Sequence, residues 1–204
     1  MKDIIISDYE NHSKKLIWIK DNYENLKKDD WKFFIICMSH LKPQSYGAKI
    51  QNRLIEELNF KKVKSNENQG DFQDPMGDFY ELKVSLTSRE QKNNIHLVQI
   101  RPWQNSNYYF MAFLLTPKDV YGFCFRLNHY QMLDELQLTK ASAAHGTKKS
   151  NESNSNIEYR LTFPIDPNNE TFLRWFKNYR SNFFDNKPEI KSPKCIEDII
   201  NINY

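Results

Sequence analysis

Two carboxylates and an ammonium stand at a spacing that can do chemistry. Asp71 precedes a turn, and Glu81-Leu82-Lys83 follows it. Residues 70–85 read as one β-hairpin. The first arm is short, Asp74-Pro75-Met76-Gly77 supplies the turn, and the second arm is rich in aromatic and β-branched residues. Pro presets φ on entering a turn, and Gly accepts positive φ on leaving it. With Pro75-Met76-Gly77 as a three-residue loop and Gly77 left-handed, Asp74 sits opposite Asp78, Gln73 opposite Phe79, Phe72 opposite Tyr80 and Asp71 opposite Glu81. Alternation then puts Phe72, Tyr80, Leu82 and Val84 on one apolar face and Asp71, Glu81 and Lys83 on the other. A loop of even length would turn Asp71 to the wrong face.

Two carboxylates and one ammonium on a shared face, expected to meet solvent, suit a hard cation. Asp71 and Glu81 would supply oxygen ligands for Mg²⁺, which keeps several of its waters. Lys83 could orient or deprotonate a metal-bound water, or stabilise charge developing on a phosphate. Glu-x-Lys on an exposed strand is also a common solvated pair that contributes little. The turn, the Gly-Asp arm and the apolar opposite face favour the chemical reading.

The spacing Asp71…Glu81-Leu82-Lys83 resembles the PD-(D/E)xK nuclease superfamily, with Gly70 in place of the Pro of the literal motif. Asp74 and Asp78 are rivals to Asp71 as the first ligand. Residues 98–103, closely followed by Tyr108-Tyr109, resemble the strand after Glu-x-Lys in type II restriction endonucleases. The resemblance covers roughly residues 51–163. It implies a restriction-endonuclease-like α/β fold and Mg²⁺-dependent hydrolysis of phosphodiester bonds in double-stranded DNA. It also implies an acidic or amide residue on the helix before the hairpin. Gln51 is the outer-shell or second-metal candidate, with Glu57 and Glu56 as further ones; a merely polar helix edge serves each equally well.

The elements that must position these groups follow from periodicity. Residues 7–26 read as an amphipathic helix, with Tyr9, Leu16, Ile17, Ile19 and Tyr23 near helical spacing. Asp29 or Asp30 can cap a second helix over 31–40, with Trp31, Phe34, Ile35 and Met38 as its buried stripe, ending before Lys42-Pro43. His40 reads as a helix-end residue. A third helix covers 48–58. Strands follow at 96–103, 108–115 and 120–127, and the almost wholly apolar 108–115 belongs at the centre of the sheet. In 96–103, alternation puts His96, Val98 and Ile100 on one face and Leu97, Gln99 and Arg101 on the other. Gln99 and Arg101 could then contact a phosphate, for which the planar guanidinium fork is suited; a surface acid would serve Arg101 as well. A helix over 128–136, a fifth strand over 157–163 that returns to the sheet, a helix from 169 to about 183 capped by Asn168, and a short segment at 196–202 complete the chain. The expected architecture is one domain with a central mixed sheet of about five strands flanked by helices. Its parts are N-terminal helices to residue 58, a catalytic sheet at 60–127 and 157–163, and C-terminal helices from 168.

Between Thr139 and Asn156 the composition turns small, polar and basic, with no apolar period. A loop of such length inside a compact domain is functional or disordered. Lys140, Lys148 and Lys149 can meet phosphates, and Ser142, His145, Thr147, Asn151 and Asn154 can meet base edges. An idle Ser/Asn linker is the plain alternative. The run Ala144-His145-Gly146-Thr147-Lys148-Lys149 also resembles a segment of some restriction enzymes.

The net charge of +3, from 29 Lys+Arg against 26 Asp+Glu, permits nucleic-acid binding only where charge is segregated. Cys37, Cys124 and Cys195 lie far apart with no Cys-x-x-Cys, which argues against a zinc site or a disulfide framework. No apolar run spans a bilayer, and the start of the chain lacks a signal-peptide core. A soluble cytoplasmic protein is expected. Sequence reading in the polar loop favours a type II restriction enzyme, with a two-fold dimer for a palindromic site. The alternatives are a structure-specific repair or junction-resolving nuclease, and a non-catalytic DNA-binding module of the same fold.

Overall fold

The computed structural model describes residues 12–63, 70–143 and 157–202. The chain opens with helices α1 (His12–Asp21), α2 (Tyr23–Leu26), α3 (Trp31–Met38) and α4 (Pro43–Glu57). The long helix expected at the start is interrupted between α1 and α2, and Ile17, assigned above to its apolar face, is largely exposed while Ile19 is buried. Asp30 caps α3, its carboxylate accepting from the Phe33 N–H at 2.7 Å. α3 ends at Met38, before Lys42-Pro43 as expected, but the next helix starts earlier than residue 48. Pro43 is the first residue of α4, where its missing N–H costs no intrahelical bond.

The central sheet has five strands, in the order β1 (Lys61–Lys62), β2 (Phe72–Gln73), β3 (Phe79–Ser88), β5 (Asn107–Leu115) and β6 (Val120–Leu127). It is mixed: β3 runs parallel to β5, and the other neighbours are antiparallel. The expected α/β class with a five-stranded mixed sheet is therefore the observed one, but its membership differs. β4 (Asn94–Ile100) and β8 (Tyr159–Pro164), both expected in the central sheet, pair with each other and with β7 (Ser142–Ala143) in a separate three-stranded sheet of order β4-β8-β7. The parallel pairing of β3 with β5 closes the position beside β3 that β4 would have taken.

Each face of the central sheet carries its own core. Phe72, Tyr80, Leu82, Tyr109, Met111 and Phe113 pack against α1 to α4. Tyr108, Phe110, Phe123, Phe125 and Leu127 pack against the second sheet and the helices α5 (His129–Leu138), α6 (Glu170–Asn178) and α7 (Ile196–Ile200). Two asparagines start helices here. Asn128 forms a capping box with Gln131. Asn169, one residue beyond the expected cap, accepts from the Phe172 N–H at 2.9 Å. The aromatic stripe of α6 is core, with Phe172, Trp175 and Phe176 buried.

Candidate active site

From Phe72 to Asp78 the hairpin forms in the expected register. Phe72 pairs with Tyr80 and Gln73 with Phe79. Asp74 N–H donates to the Asp78 carbonyl at 3.0 Å, so Pro75-Met76-Gly77 is the three-residue loop, and Gly77 closes it at φ +95°. The carboxylate of Asp74 is spent on this turn, accepting from the N–H groups of Met76 and Asp78. By alternation Asp74 and Asp78 belong with Tyr80, on the face away from Glu81. Of the three aspartates, Asp71 is the one within electrostatic reach of Glu81.

Asp71 is held from both sides. Its N–H donates to the Tyr80 carbonyl at 2.7 Å, and its Oδ2 accepts from the Leu82 N–H at 2.9 Å. Asp71 thus bonds to β3 on either side of Glu81, through its backbone N–H on one side and its carboxylate on the other. Gly70 makes this approach feasible. It sits at φ +89°, and a Cβ there would lie 2.6 Å from the Tyr80 carbonyl oxygen. Proline, fixed near φ −65°, cannot occupy that conformation.

Glu81 and Lys83 project together from the opposite face to Tyr80 and Leu82. Lys83 Nζ lies 2.5 Å from Glu81 Oε1. Their setting corrects one expectation. The groups are not spread on a solvent-facing surface, because Glu81 is only 4% exposed and the Lys83 side chain 14%. The second sheet covers this side of β3, with the His96 N–H donating to Ser85 Oγ at 3.0 Å. Burial pushes the Glu81 carboxyl above its ordinary range. The Lys83 ammonium pulls against that, the Asp71 carboxylate adds to it, and Arg101 again opposes it. These influences bring Asp71, Lys83 and Arg101 within electrostatic reach of one buried acid.

Arg101 donates from Nε to Glu158 Oε1 at 2.8 Å, so the surface-acid alternative for this residue is the one observed. Gln99 is exposed, and the faces assigned to its strand are corrected. Ile95, Leu97 and Ile100 are buried, while His96, Val98 and Gln99 are exposed. The pairing register of β4 with β8 shifts between Leu97 and Ile100, where Gln99 adopts φ +55°. This bulge breaks the alternation on which the expectation rested. Gln51 is half-buried on α4 and makes no hydrogen bond to Asp71, Glu81 or Lys83 among the described residues. Glu56 and Glu57 are engaged elsewhere, Glu56 with Lys27 and Glu57 with Trp31 Nε1 and Lys187. Lys140 and Ser142 are exposed at the start of the polar segment. His145, Thr147, Lys148, Lys149, Asn151 and Asn154 lie outside the described residues.

Several neighbours of the site carried no signal in the sequence. Tyr108 pairs with Glu81 in the parallel ladder and donates from its hydroxyl to the Arg101 carbonyl at 3.1 Å; burial, and then the Glu81 charge, push its phenol up. In an apolar run it read only as core. Glu158 was indistinguishable from any strand-end acid.

The donors fit a hard cation in kind. Asp71 and Glu81 offer carboxylate oxygens within electrostatic reach of each other, and a divalent ion between them would offset the burial and the repulsion that disfavour the Glu81 charge. Two carboxylates are what this chain offers here; no cluster of three or more His, Cys, Asp or Glu side chains able to hold a metal occurs among the described residues. No protein-family model matches the chain, and no curated protein is significantly similar to it in sequence. No helix among the described residues is long and apolar enough to cross a membrane.

Proposed function

We propose that this chain is a Mg²⁺-dependent endonuclease of the PD-(D/E)xK kind, cutting double-stranded DNA at specific sequences as a type II restriction enzyme does. The observation that carries the reading is the convergence of Asp71, Glu81 and Lys83. The hairpin register, the Asp71 Oδ2 to Leu82 N–H bond and the Lys83 to Glu81 contact bring Asp71 to Glu81 and Lys83, ten and twelve residues further along the chain.

In this reading Asp71 and Glu81 hold the cation, which supplies Lewis acidity and a lowered pKa for bound water. Lys83, fixed against Glu81, presents its remaining N–H groups to the attacking water and to the charge that gathers on phosphorus-bound oxygens. Asp71, anchored by the backbone of β3, keeps its ligand geometry without help from substrate. Arg101 stands where it can exchange Glu158 for a phosphate, and its fork suits either partner.

The second sheet supports a sequence-reading role for the polar segment. Ala143 pairs with Tyr159, Tyr159 pairs with Ile100, and Arg101 grips Glu158. Ala143 and Glu158, on either side of residues 144–157 in sequence, are therefore tied to Ile100 and Arg101 at the end of β4. Lys140, Ser142, His145, Thr147, Lys148, Lys149 and Asn151 are proposed DNA contacts on this ground and on their chemistry. A palindromic site calls for a homodimer with one active site per strand. The reading implies a cytoplasmic protein.

The test is incubation of the chain with phage and plasmid DNA, with Mg²⁺ or with chelator. Discrete fragments that need Mg²⁺ are expected, with common ends on sequencing. Cutting confined to branched or damaged DNA would move the function to a repair or junction nuclease. Binding without cleavage at any Mg²⁺ concentration would overturn the enzymatic reading.

A further inference from the structure

The loop that joins β4 to β5 holds two buried polar atoms with no partner among the described residues, Gln104 Oε1 and Ser106 Oγ. Gln104 is 4% exposed and Ser106 2%. An unsatisfied buried hydroxyl or amide is costly, and a native fold retains few of them without a reason. The loop itself is tightly fixed. Gln104 N–H donates to the Arg101 carbonyl at 3.0 Å, and Ser106 N–H to the Gln104 carbonyl at 2.9 Å.

Ser106 is also beside the site. A Cβ built on Gly70 would lie 3.0 Å from Ser106 Oγ, so the hydroxyl abuts the residue that precedes Asp71. In the parallel ladder Asn107 is level with Tyr80 and Tyr108 with Glu81. Ser106 stands two residues before Tyr108, which puts it on the Glu81 side of the sheet at the Asp71 end.

We propose that Ser106 completes the cation site: its hydroxyl oxygen accepts a hydrogen bond from a water carried by the ion that Asp71 and Glu81 hold, and the Gln104 amide oxygen is a second acceptor in the same loop. The proposal rests on the reading of Asp71 and Glu81 as ion ligands. Its chemistry is direct. A small hard cation keeps several waters, those waters are strong donors, and the loop offers two acceptors that the protein does not satisfy. Ser106 acts on the ion through water and is a positioning residue, not a ligand.

The test is a terbium titration of the full-length chain, read as luminescence sensitised by Tyr108 beside Glu81, with Mg²⁺ as competitor. Three proteins are compared: the unaltered chain, Asp71→Asn and Ser106→Ala. The expected result is saturable emission that Mg²⁺ reverses, loss of it in Asp71→Asn, and about tenfold weaker binding in Ser106→Ala, the scale on which outer-shell partners act. The ion-free Ser106→Ala protein should melt at the same temperature as the unaltered chain or higher, because an unsatisfied hydroxyl has been removed. Equal ion affinity in Ser106→Ala and the unaltered chain would overturn the inference and leave the ligand assignment standing. A lower melting temperature or failure to fold in Ser106→Ala would assign the hydroxyl a structural partner and overturn it too. Emission unchanged in Asp71→Asn, or absent from the unaltered chain, would bring down the ligand assignment and the inference together.

Discussion

Asp71 Oδ2 accepts the Leu82 N–H at 2.9 Å, so the acid of one hairpin arm is bonded to the backbone between Glu81 and Lys83 on the other. The bond fixes the carboxylate without using its charge. Asparagine can make the same bond through its amide oxygen. Asp71→Asn should therefore keep the fold, with a melting temperature within a few degrees of the unaltered chain, and lose DNA cleavage by at least about a hundredfold, the usual cost of one preorganised electrostatic group. Glu81→Gln and Lys83→Met should lose as much. Initial rates on supercoiled plasmid at saturating Mg²⁺ measure this, and full activity in any one variant rejects the role of that residue.

Glu81 sets a pH dependence of stability. Burial, and the Asp71 charge beside it, raise its carboxyl above the unfolded value despite Lys83 and Arg101. A group raised in this way favours the fold when protonated, and that contribution is lost as pH rises through the folded pKa. Glu81 therefore stabilises the fold less at neutral pH than in the acid range. Glu81→Gln should consequently melt higher than the unaltered chain at pH 7 without divalent ions. The gap should narrow as the pH falls toward the ordinary carboxylate range. Added Mg²⁺ should raise the melting temperature of the unaltered chain and leave Glu81→Gln unmoved. Melts across pH 4–8 with and without Mg²⁺ check all three.

Gly70 tests the link between motif and backbone. At φ +89°, with the Tyr80 carbonyl 2.6 Å from where a Cβ would be, any side chain meets both conformational strain and a clash with backbone. Gly70→Ala should cost about 2–4 kcal/mol, taking strain and clash together. Gly70→Pro should cost more, since its ring cannot adopt positive φ. Denaturant unfolding of the three proteins gives the order Gly, Ala, Pro. Activity lost in Gly70→Ala beyond the fraction unfolded would report displacement of Asp71.

The site was legible where short-range rules govern it. The turn chemistry of Pro75 and Gly77 fixed the loop length, loop length fixed register, and register fixed which acid faces Glu81. The buried stripe of α3 and the central position of β5 followed as directly from apolar patterning. What escaped depends on tertiary choices. The order of β3, β4 and β5 is decided by which strand wins the place beside β3, and local pattern does not encode that competition. Gln99 has no property that announces a left-handed bulge, yet that one residue inverts the faces of β4. The depth of the site was likewise invisible: Glu81 is buried because β4 passes over β3, which depends on the second sheet. Gln104 and Ser106 looked like ordinary loop polars, and only their burial sets them apart.

Glu135 supplies a control remote from the proposed chemistry. It is fully buried on α5, yet ionised: Arg174 donates two bonds at 2.8 Å, Trp175 Nε1 one at 2.8 Å and the Tyr179 hydroxyl one at 3.1 Å. Burial alone would raise its carboxyl, but the Arg174 and Trp175 bonds outweigh it and hold the group below its ordinary value. The carboxylate thereby ties α5 to α6. Replacing it with Gln leaves too few acceptor sites for four donors and strands Arg174 without a counter-charge, which should cost about 3–5 kcal/mol. The sign of its pH dependence is opposite to that of Glu81. Stability from a depressed carboxyl is present above the unfolded pKa and is lost as pH falls through the folded one, so the penalty of Glu135→Gln should be full at pH 7 and shrink below about pH 4. Cleavage per folded molecule should be unchanged, because the network contacts neither Asp71, Glu81 nor Lys83. Urea titrations at pH 7 and pH 3.5, with activity normalised to the folded fraction, distinguish this clamp from a site residue.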